Sequence, residues 1–297
     1  MFLVLGNVAI DESMRAPAWP SPGATVLVGP PGRDLGGKGA NQALVLHRTG
    51  APVRFVATIG SDEPAAWIAT ALRDNGLDPD ALIRIPGASD RSLIFVSPDG
   101  ENAIASTSHC SDALTPAHAE AAISTAAPGD TLLTQGGLTA EATRAAFAAA
   151  RGKGLRIVFN PSAMRPGFGE LLAGVDLLVL NAIEAAQLAG EGRPAMLAHA
   201  LRARGPNTVV ITLGRDGALG LGPEGEIALP ASPAIVRDST GAGDTYLGVL
   251  AALHDRGLPL PRAMQAAADA AAITVSRPGT HAAFPTRDEL AAIFART

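Results

Sequence analysis

Two glycines, an alanine and an aspartate in the stretch Val236–Gly248 bring together residue types that phosphoryl transfer can use. Through Gly241-Ala242-Gly243 the backbone is nearly bare, and Leu247, Leu250 and Ala251 then recur at helical spacing, so a loop is expected to run into a helix at Asp244. The first turn of such a helix has unpaired N–H groups and a partial positive charge, which lets Gly241, Ala242 and Gly243 hold an anion with backbone donors. Asp244, at the mouth of that turn, could accept a proton from a substrate hydroxyl while the N–H groups hold charge on a transferring phosphoryl group. Aspartate is also a common helix cap, and this stretch alone leaves both roles open.

A second glycine-rich stretch, Leu35-Gly36-Gly37-Lys38-Gly39-Ala40-Asn41-Gln42-Ala43, precedes a helical run expected at Leu44–Thr49. With so little side-chain bulk a polar ligand can lie on the backbone at Gly37, while Lys38 and Asn41 supply donors to hydroxyls. Gly32 and Gly37-Lys38 have the spacing of a P-loop, but Gly39 stands where that motif needs a magnesium-binding hydroxyl, and Pro30-Pro31 upstream make a poor strand. The dinucleotide-type spacing of Gly220, Gly222 and Gly225 falls inside an apparent hairpin with no helix after it, and is discarded on the same grounds. The six histidines (His47, His109, His118, His199, His254 and His281) form no ligand pair, so a histidine-held metal is not expected. Cys110, the only cysteine, excludes an intramolecular disulfide and a cysteine zinc site, and reads as a small buried residue rather than a nucleophile.

These residues need elements to position them. The apolar run Phe2–Ala9 is expected as a buried first strand whose end presents Asp11 to a ligand. From Arg15 to Pro31 proline and glycine interrupt the chain, leaving Ala24–Gly29 as its one extended run, and Arg91–Ser97 and Asn102–Thr107 flank the turn sequence Pro98-Asp99-Gly100-Glu101. Both excursions are expected to form a small antiparallel unit beside the main sheet. Elsewhere strands alternate with helices: Val53–Gly60 with Pro64–Asn75, Thr131–Gln135 with Ala140–Gly152, Arg156–Asn160, then Val175–Asn181 with Ile183–Ala189, and Ala195–Arg204 with Thr208–Leu213. The helices Arg262–Val275 and Arg287–Ala295 close the chain. The pattern predicts an α/β fold with a doubly wound, mostly parallel sheet flanked by helices. Its ligand-facing strand ends would include Asn181, with Glu184 one turn beyond, and Thr212–Gly217, where Gly214 and Gly217 permit close approach.

The chain has 297 residues, 47% of them hydrophobic and 4% aromatic, and a net charge of −5 with no basic patch, which speaks against a nucleic-acid partner. No signal peptide is expected at Met1–Gly6, and no run of ~18 apolar residues is free of breakers, so a cytoplasmic protein with no membrane span is expected.

With these residues in hand, the chain resembles the ribokinase (PfkB-type) family of sugar kinases over nearly its whole length. Gly36–Ala43 is similar to that family's sugar-site signature, and Asp238-Ser239-Thr240-Gly241-Ala242-Gly243-Asp244-Thr245 to its C-terminal signature. The resemblance implies one kinase domain over 1–297, with a small β lid at about 12–35 and 90–107 that also forms a homodimer contact. It implies that Asp244 deprotonates the primary hydroxyl of a pentose, ribose in the first instance, with Gly241, Ala242 and Gly243 as the anion hole. Asp11, Gly37, Lys38 and Asn41 would bind the sugar. Asn181 and the Thr212–Gly217 loop would contact ATP, with Glu184 supporting magnesium through water. A monovalent cation, potassium, would lie near Asp238, Thr240, Thr274, Arg277 and Gly279. Ala9 and Gly137 depart from the family's ribose-binding form, where an asparagine and a glutamate would stand, and Ser108-His109-Cys110-Ser111 departs as well. Another sugar, a sugar acid or a nucleoside is the alternative substrate. A non-catalytic sensor is disfavoured by the retained Asp244, and a dinucleotide oxidoreductase by the misplaced glycine motif.

Overall fold

Apolar side chains alternate across the first strand and divide the molecule into two layers. In the computed structural model, which describes residues 1–19, 21–23, 25–97 and 102–297, β1 (Phe2–Leu5) turns Phe2 and Val4 into one buried cluster and Leu3 and Leu5 into the other. The strand stops sooner than the apolar run because the backbone at Gly6 is crossed closely: a Cβ there would lie 2.9 Å from Gly39 Cα. The chain leaves the sheet at this point, and β2 (Ala9–Arg15) belongs to a different one. Asp11 is therefore not at a strand end of the central sheet, as expected, but within a satellite sheet.

The partner of β2 is β3 (Gly32–Gly36), antiparallel to it with Leu35 buried. The extended run expected at Ala24–Gly29 forms no strand over its described residues, 25–29. Leu27 there is 85% exposed, so that run has no face to bury. Helix α1 (Lys38–Arg48) begins six residues before the expected Leu44, because Gly39, Ala40 and Ala43 count as part of its buried face. The expected strand at Val53–Gly60 is broken at Ala57 into β4 (Val53–Val56) and β5 (Thr58–Ile59), the latter pairing with β6 (Ile83–Arg84). Between them α2 (Glu63–Asp74) is capped by Asp62. The strands β7 (Arg91–Val96) and β8 (Asn102–Ser106) form the expected hairpin, whose turn Pro98–Glu101 lies outside the described residues. The satellite sheet runs β3-β2-β7-β8, antiparallel except for the central β2–β7 pair, which is parallel.

Two short helices not read from the sequence follow, α3 (His109–Asp112) and α4 (Pro116–Ser124), the second opened by a Thr115 capping box. The remaining elements are β9 (Thr131–Gln135), α5 (Ala140–Lys153), β10 (Arg156–Asn160), β11 (Leu177–Asn181), α6 (Ala182–Ala189), α7 (Pro194–Arg202), β12 (Thr208–Thr212), β13 (Ala218–Gly222), β14 (Gly225–Leu229), α8 (Ala242–Asp255), α9 (Leu260–Val275) and α10 (Arg287–Phe294).

The central sheet has eight strands in the order β14-β13-β12-β11-β10-β9-β1-β4, parallel except for the β12–β13–β14 meander at one edge. Helices α1, α2, α8, α9 and α10 bury one face and α4 to α7 the other. From β1 the chain winds to β4 on one side, and from β9 it winds away on the other. The crevice between the ends of β1 and β9 is the switch point at which such sheets hold ligands.

Candidate active site at the sheet's switch point

Three segments distant in sequence converge above that crevice. Gly241 takes the cap position of α8 with φ +76°, a conformation that disfavours any side chain, and a Cβ there would lie 2.5 Å from the Phe284 ring. Asp244, in the first turn and 5% exposed, turns its carboxylate toward α1. Its Oδ2 accepts Asn41 Nδ2 at 2.9 Å and its Oδ1 accepts Gln42 Nε2 at 2.8 Å. The two helices can pass this closely because Gly248 lies against Val45, where a Cβ would be 2.6 Å from the valine methyl. Each carboxylate oxygen can accept a further hydrogen bond, so the group is held in place yet can take a hydroxyl. Apart from its chain neighbours and the backbone of α8 itself, no described atom lies within 4 Å of a Cβ built at Gly243, which leaves the first turn of α8 open on that side.

The network continues on both sides. Gln42 Nε2 also reaches Asn160 Oδ1 (3.1 Å), and Asn160 Nδ2 donates to the Val179 carbonyl (2.9 Å). On the other side Asn41 Oδ1 meets His281 Nε2 at 2.9 Å. Burial pushes the His281 imidazole down to about 4, against the pull of Asp34.

Asp11 approaches from the satellite sheet. Its carboxylate lies flat over the backbone of Gly36, where a Cβ would fall 2.0 Å from Oδ1, and its strand neighbours are Asp34 and Ser92. Burial raises its pKa to about 6; a hydrogen bond with Ser92 opposes this, and the carboxylates of Asp34 and Asp244 add to it. A carboxyl group kept dry among other acids is suited to a ligand that brings hydroxyl donors.

The glycines at the start of α1 also let that helix pack closely on the chain that precedes it. A Cβ at Gly37 would lie 2.8 Å from Val8 Cα, and one at Gly39 would lie 2.6 Å from the backbone N and O of Asn7. They seat the helix on the β1–β2 connection, where Ala40 N donates to the Asn7 carbonyl and Gly39 N to Asn7 Oδ1, both at 3.1 Å. Lys38, the first residue of that helix, stays partly exposed. Ala9 is buried. Gly137, across the crevice at the end of β9, faces Asn7: a Cβ there would be 2.7 Å from Asn7 Cγ. Asn7 thus occupies the room that a side chain at 137 would need.

Sequence reasoning missed Asn7, Gln42 and His281. Gln42 had a signal, since it adjoins Asn41 in the glycine motif. Asn7 and His281 had none, because their partners are distant in sequence.

The other expected residues form two groups. Asn181 and Glu184 close a capping box on α6, Asn181 Oδ1 accepting Glu184 N and Glu184 Oε2 accepting Asn181 N, each at 2.9 Å. Asn181 pairs in register with Thr212 on β12, so this group and the glycine turn after β12 end side by side. In that turn Gly214 has φ +61° and Gly217 φ +93°, and a Cβ at Gly217 would collide with the Leu229 carbonyl. In the second group, Asp238 bridges two loops by accepting Thr240 N (2.9 Å) and Gly279 N (3.0 Å), beside an Arg237 N to Val275 O bond of 2.7 Å. The Thr274 hydroxyl is occupied with Thr245 (2.9 Å), and the Arg277 guanidinium with Glu289. A guanidinium has no acceptor, so Arg277 has only its backbone carbonyl to offer a cation. Among the described residues no three His, Cys, Asp or Glu side chains converge as a metal cluster. A cleft of about 580 Å³ lined by Ile235, Arg237, Asp269 and Ile273 runs past this second group.

Residues 3–287 match the family described as pfkB family carbohydrate kinase. The chain is 30% identical over 296 residues to the bifunctional ribokinase/ribose-5-phosphate isomerase A of Fructilactobacillus sanfranciscensis, with 97% of this chain aligned to 55% of that protein's length. It is 29% identical over 287 residues to the ribokinase of Bacillus subtilis, 97% of each chain being covered. Among solved structures it is similar to ribokinase from Thermotoga maritima, with a TM-score of 0.89, 25% identity and 99% of each chain covered. It is also similar to Arabidopsis thaliana ribokinase complexed with ribose and ATP, with a TM-score of 0.87 and 25% identity over 98% of this chain and 97% of the other.

Proposed function

Because the chain belongs to the pfkB family of carbohydrate kinases and is an ATP-dependent sugar kinase, we propose that it transfers the γ-phosphoryl group of ATP to the primary hydroxyl of a pentose, D-ribose, giving ribose 5-phosphate. The observation that carries this reading is the Asp244 carboxylate, gripped by two side-chain amides beside the open first turn of α8. In this scheme the sugar lies on Gly37, with Asp11, Lys38 and Asn41 holding its secondary hydroxyls. Its primary hydroxyl donates to Asp244, which takes the proton as the oxygen attacks phosphorus. The N–H groups of Gly241, Ala242 and Gly243 hold the charge on the transferring group, and the N-terminal end of α8 adds its partial positive charge.

The nucleotide would lie along Asn181, Thr212, Gly214 and Gly217. Magnesium, which neutralises phosphate charge when bound, fits a water-mediated position at Glu184, whose second carboxylate oxygen is not taken by the capping box. A monovalent cation would lie at the junction of Asp238, Thr240, Thr274, Arg277 and Gly279, where Asp238 ties the two loops together and supplies the charge. We assign the satellite sheet as a lid and as the contact for a second copy, since Leu27, Leu93 and Ile104 are 39% to 85% exposed on its strands and loop. We also place the enzyme in the cytoplasm; among the described residues no helix is long and apolar enough to cross a membrane.

Asn7 favours a second reading of the acceptor. It fills the space beside Gly137, and Ala9 offers no polar atom, so the pocket differs in shape from the family's ribose-binding form. A deoxy sugar, ketohexose, sugar acid or nucleoside would then replace ribose, and the Salmonella typhi deoxyribokinase is a relative at 25% identity over 293 residues.

The test is ADP release with ATP, magnesium and potassium across a panel of these acceptors, run beside Asp244→Asn. Turnover on ribose that falls about 10²–10⁴-fold in the variant, with nucleotide affinity kept, is the expected result. Turnover on another acceptor alone would select the second reading, and an unimpaired variant would remove Asp244 from the chemistry.

A further inference from the structure

We propose that His281 is a positioning residue for phosphoryl transfer, donating Nε2–H to Asn41 and so fixing which end of the Asn41 carboxamide faces Asp244. The inference rests on the reading of Asp244 as the proton acceptor.

A terminal carboxamide has nearly the same shape in its two orientations, so hydrogen bonding alone chooses between them. Asn41 needs its NH₂ toward Asp244, since a carboxylate only accepts; the other orientation would set two oxygens against each other in a buried site. With NH₂ toward Asp244, the Asn41 oxygen faces the His281 ring, 2.9 Å from Nε2. A hydrogen on Nε2 satisfies that oxygen. Nδ1 is buried with no partner, so a hydrogen placed there would leave two orphaned groups, whereas one on Nε2 leaves only an unused lone pair. The neutral Nε2–H tautomer is the form that completes the chain His281 to Asn41 to Asp244.

The ring cannot drift from this position. Arg48 Nη1 donates to the carbonyls of His281 (3.3 Å), Phe284 (2.9 Å) and Pro285 (3.3 Å), tying the 281–285 segment to α1, the helix that carries Asn41. His281 N reaches Asp34 Oδ2 at 3.3 Å. Phe284 stacks at a tilt 5.4 Å from the imidazole and also closes over Gly241, the cap of α8. One short segment therefore holds both the amide that orients the carboxylate and the turn from which α8 starts.

The experiment compares His281→Leu, which keeps volume but has no donor, with His281→Gln, which keeps an N–H within reach, and adds nitrogen-15 NMR of wild-type enzyme with labelled histidine. Expected are a fall in kcat of about tenfold for His281→Leu with KM for ATP unchanged, recovery of most of that loss in His281→Gln, and a neutral Nε2–H tautomer for His281. An Nδ1–H tautomer, an undiminished kcat in His281→Leu, or a Gln variant no better than Leu would overturn the proposal. The tautomer is read without turnover, and failure of the proton-acceptor reading shows separately in Asp244→Asn, so the two cannot be confused. A Leu variant that did not fold would leave the tautomer and the Gln variant as the deciding measurements.

Discussion

Replacing Asp11 with asparagine should make this protein more stable and less able to bind its sugar. Burial against Gly36, together with the neighbouring carboxylates, lifts the Asp11 pKa from 3.8 to about 6. The sign follows from proton linkage: the folded state holds a proton that the unfolded chain gives up, so this group favours folding below pH 3.8. That advantage is lost as pH rises toward 6, and above it the full penalty for a buried charge applies. A lift of about two units at 1.36 kcal/mol each corresponds to about 3 kcal/mol. Asparagine carries no charge and can still bond Ser92. Asp11→Asn is therefore expected to gain up to about 3 kcal/mol over wild type at pH 8, a rise in Tm of roughly 6 °C, and little at pH 4. Paired thermal or denaturant unfolding of the two proteins from pH 4 to 8 reads the difference, since the contributions of acids remote from Asp11 cancel between them. Sugar KM should rise at the same time, because in the proposed scheme Asp11 accepts from the sugar hydroxyls and asparagine is the weaker acceptor. A variant no more stable than wild type at pH 8, or a difference that does not change with pH, would refute the reasoning.

Other substitutions test the remaining parts of the site. Lys38→Met should raise the apparent KM for sugar several-fold, on the order of one hydrogen bond to a charged group, with KM for ATP unchanged, as steady-state kinetics with each substrate varied will show. Gly137→Ala puts a methyl 2.7 Å from Asn7 Cγ, so it should displace Asn7 and change relative kcat/KM across an acceptor panel while nucleotide binding persists. The Cys110 thiol is buried and pushed up to about 11, mainly by desolvation, so a maleimide at pH 8 should label the native protein far more slowly than the unfolded one.

Most of the central sheet could be read from sequence because its signals are local. The β13–β14 hairpin, the strands β9 and β10, and the helices α5, α9 and α10 lie within a few residues of where periodicity and turn residues put them. Errors arose where a long-range contact overrode a local pattern. Phe2–Ala9 looks like one strand, yet α1 crosses at Gly6 and ends it. Asp11 is expected at the end of a central strand but lies in the satellite sheet, since apolar content cannot say which strands will pair. The α4 helix was missed because its buried face is mostly alanine, which leaves little periodicity to read. In the site, Asp244 and Asn41 were marked by their motifs, but the bond joining them spans 203 positions and the one from His281 to Asn41 spans 240. Nothing in a histidine's neighbours along the chain reports such a partner. The glycines were legible as bare backbone, but the neighbouring segments that this bareness admits show only in what a Cβ would strike.

The three-residue passage from β1 to β2 has a consequence for how such enzymes diversify. Because the satellite sheet carries Asp11, which we propose as a sugar-binding residue, it would not be exchanged as an inert cover; a graft that replaced β2 would replace that residue along with the surface. Acceptor choice and self-association would then be inherited as one unit, and a chimera that changes the outer strands while keeping residues 9–11 should be the smallest cut that separates them.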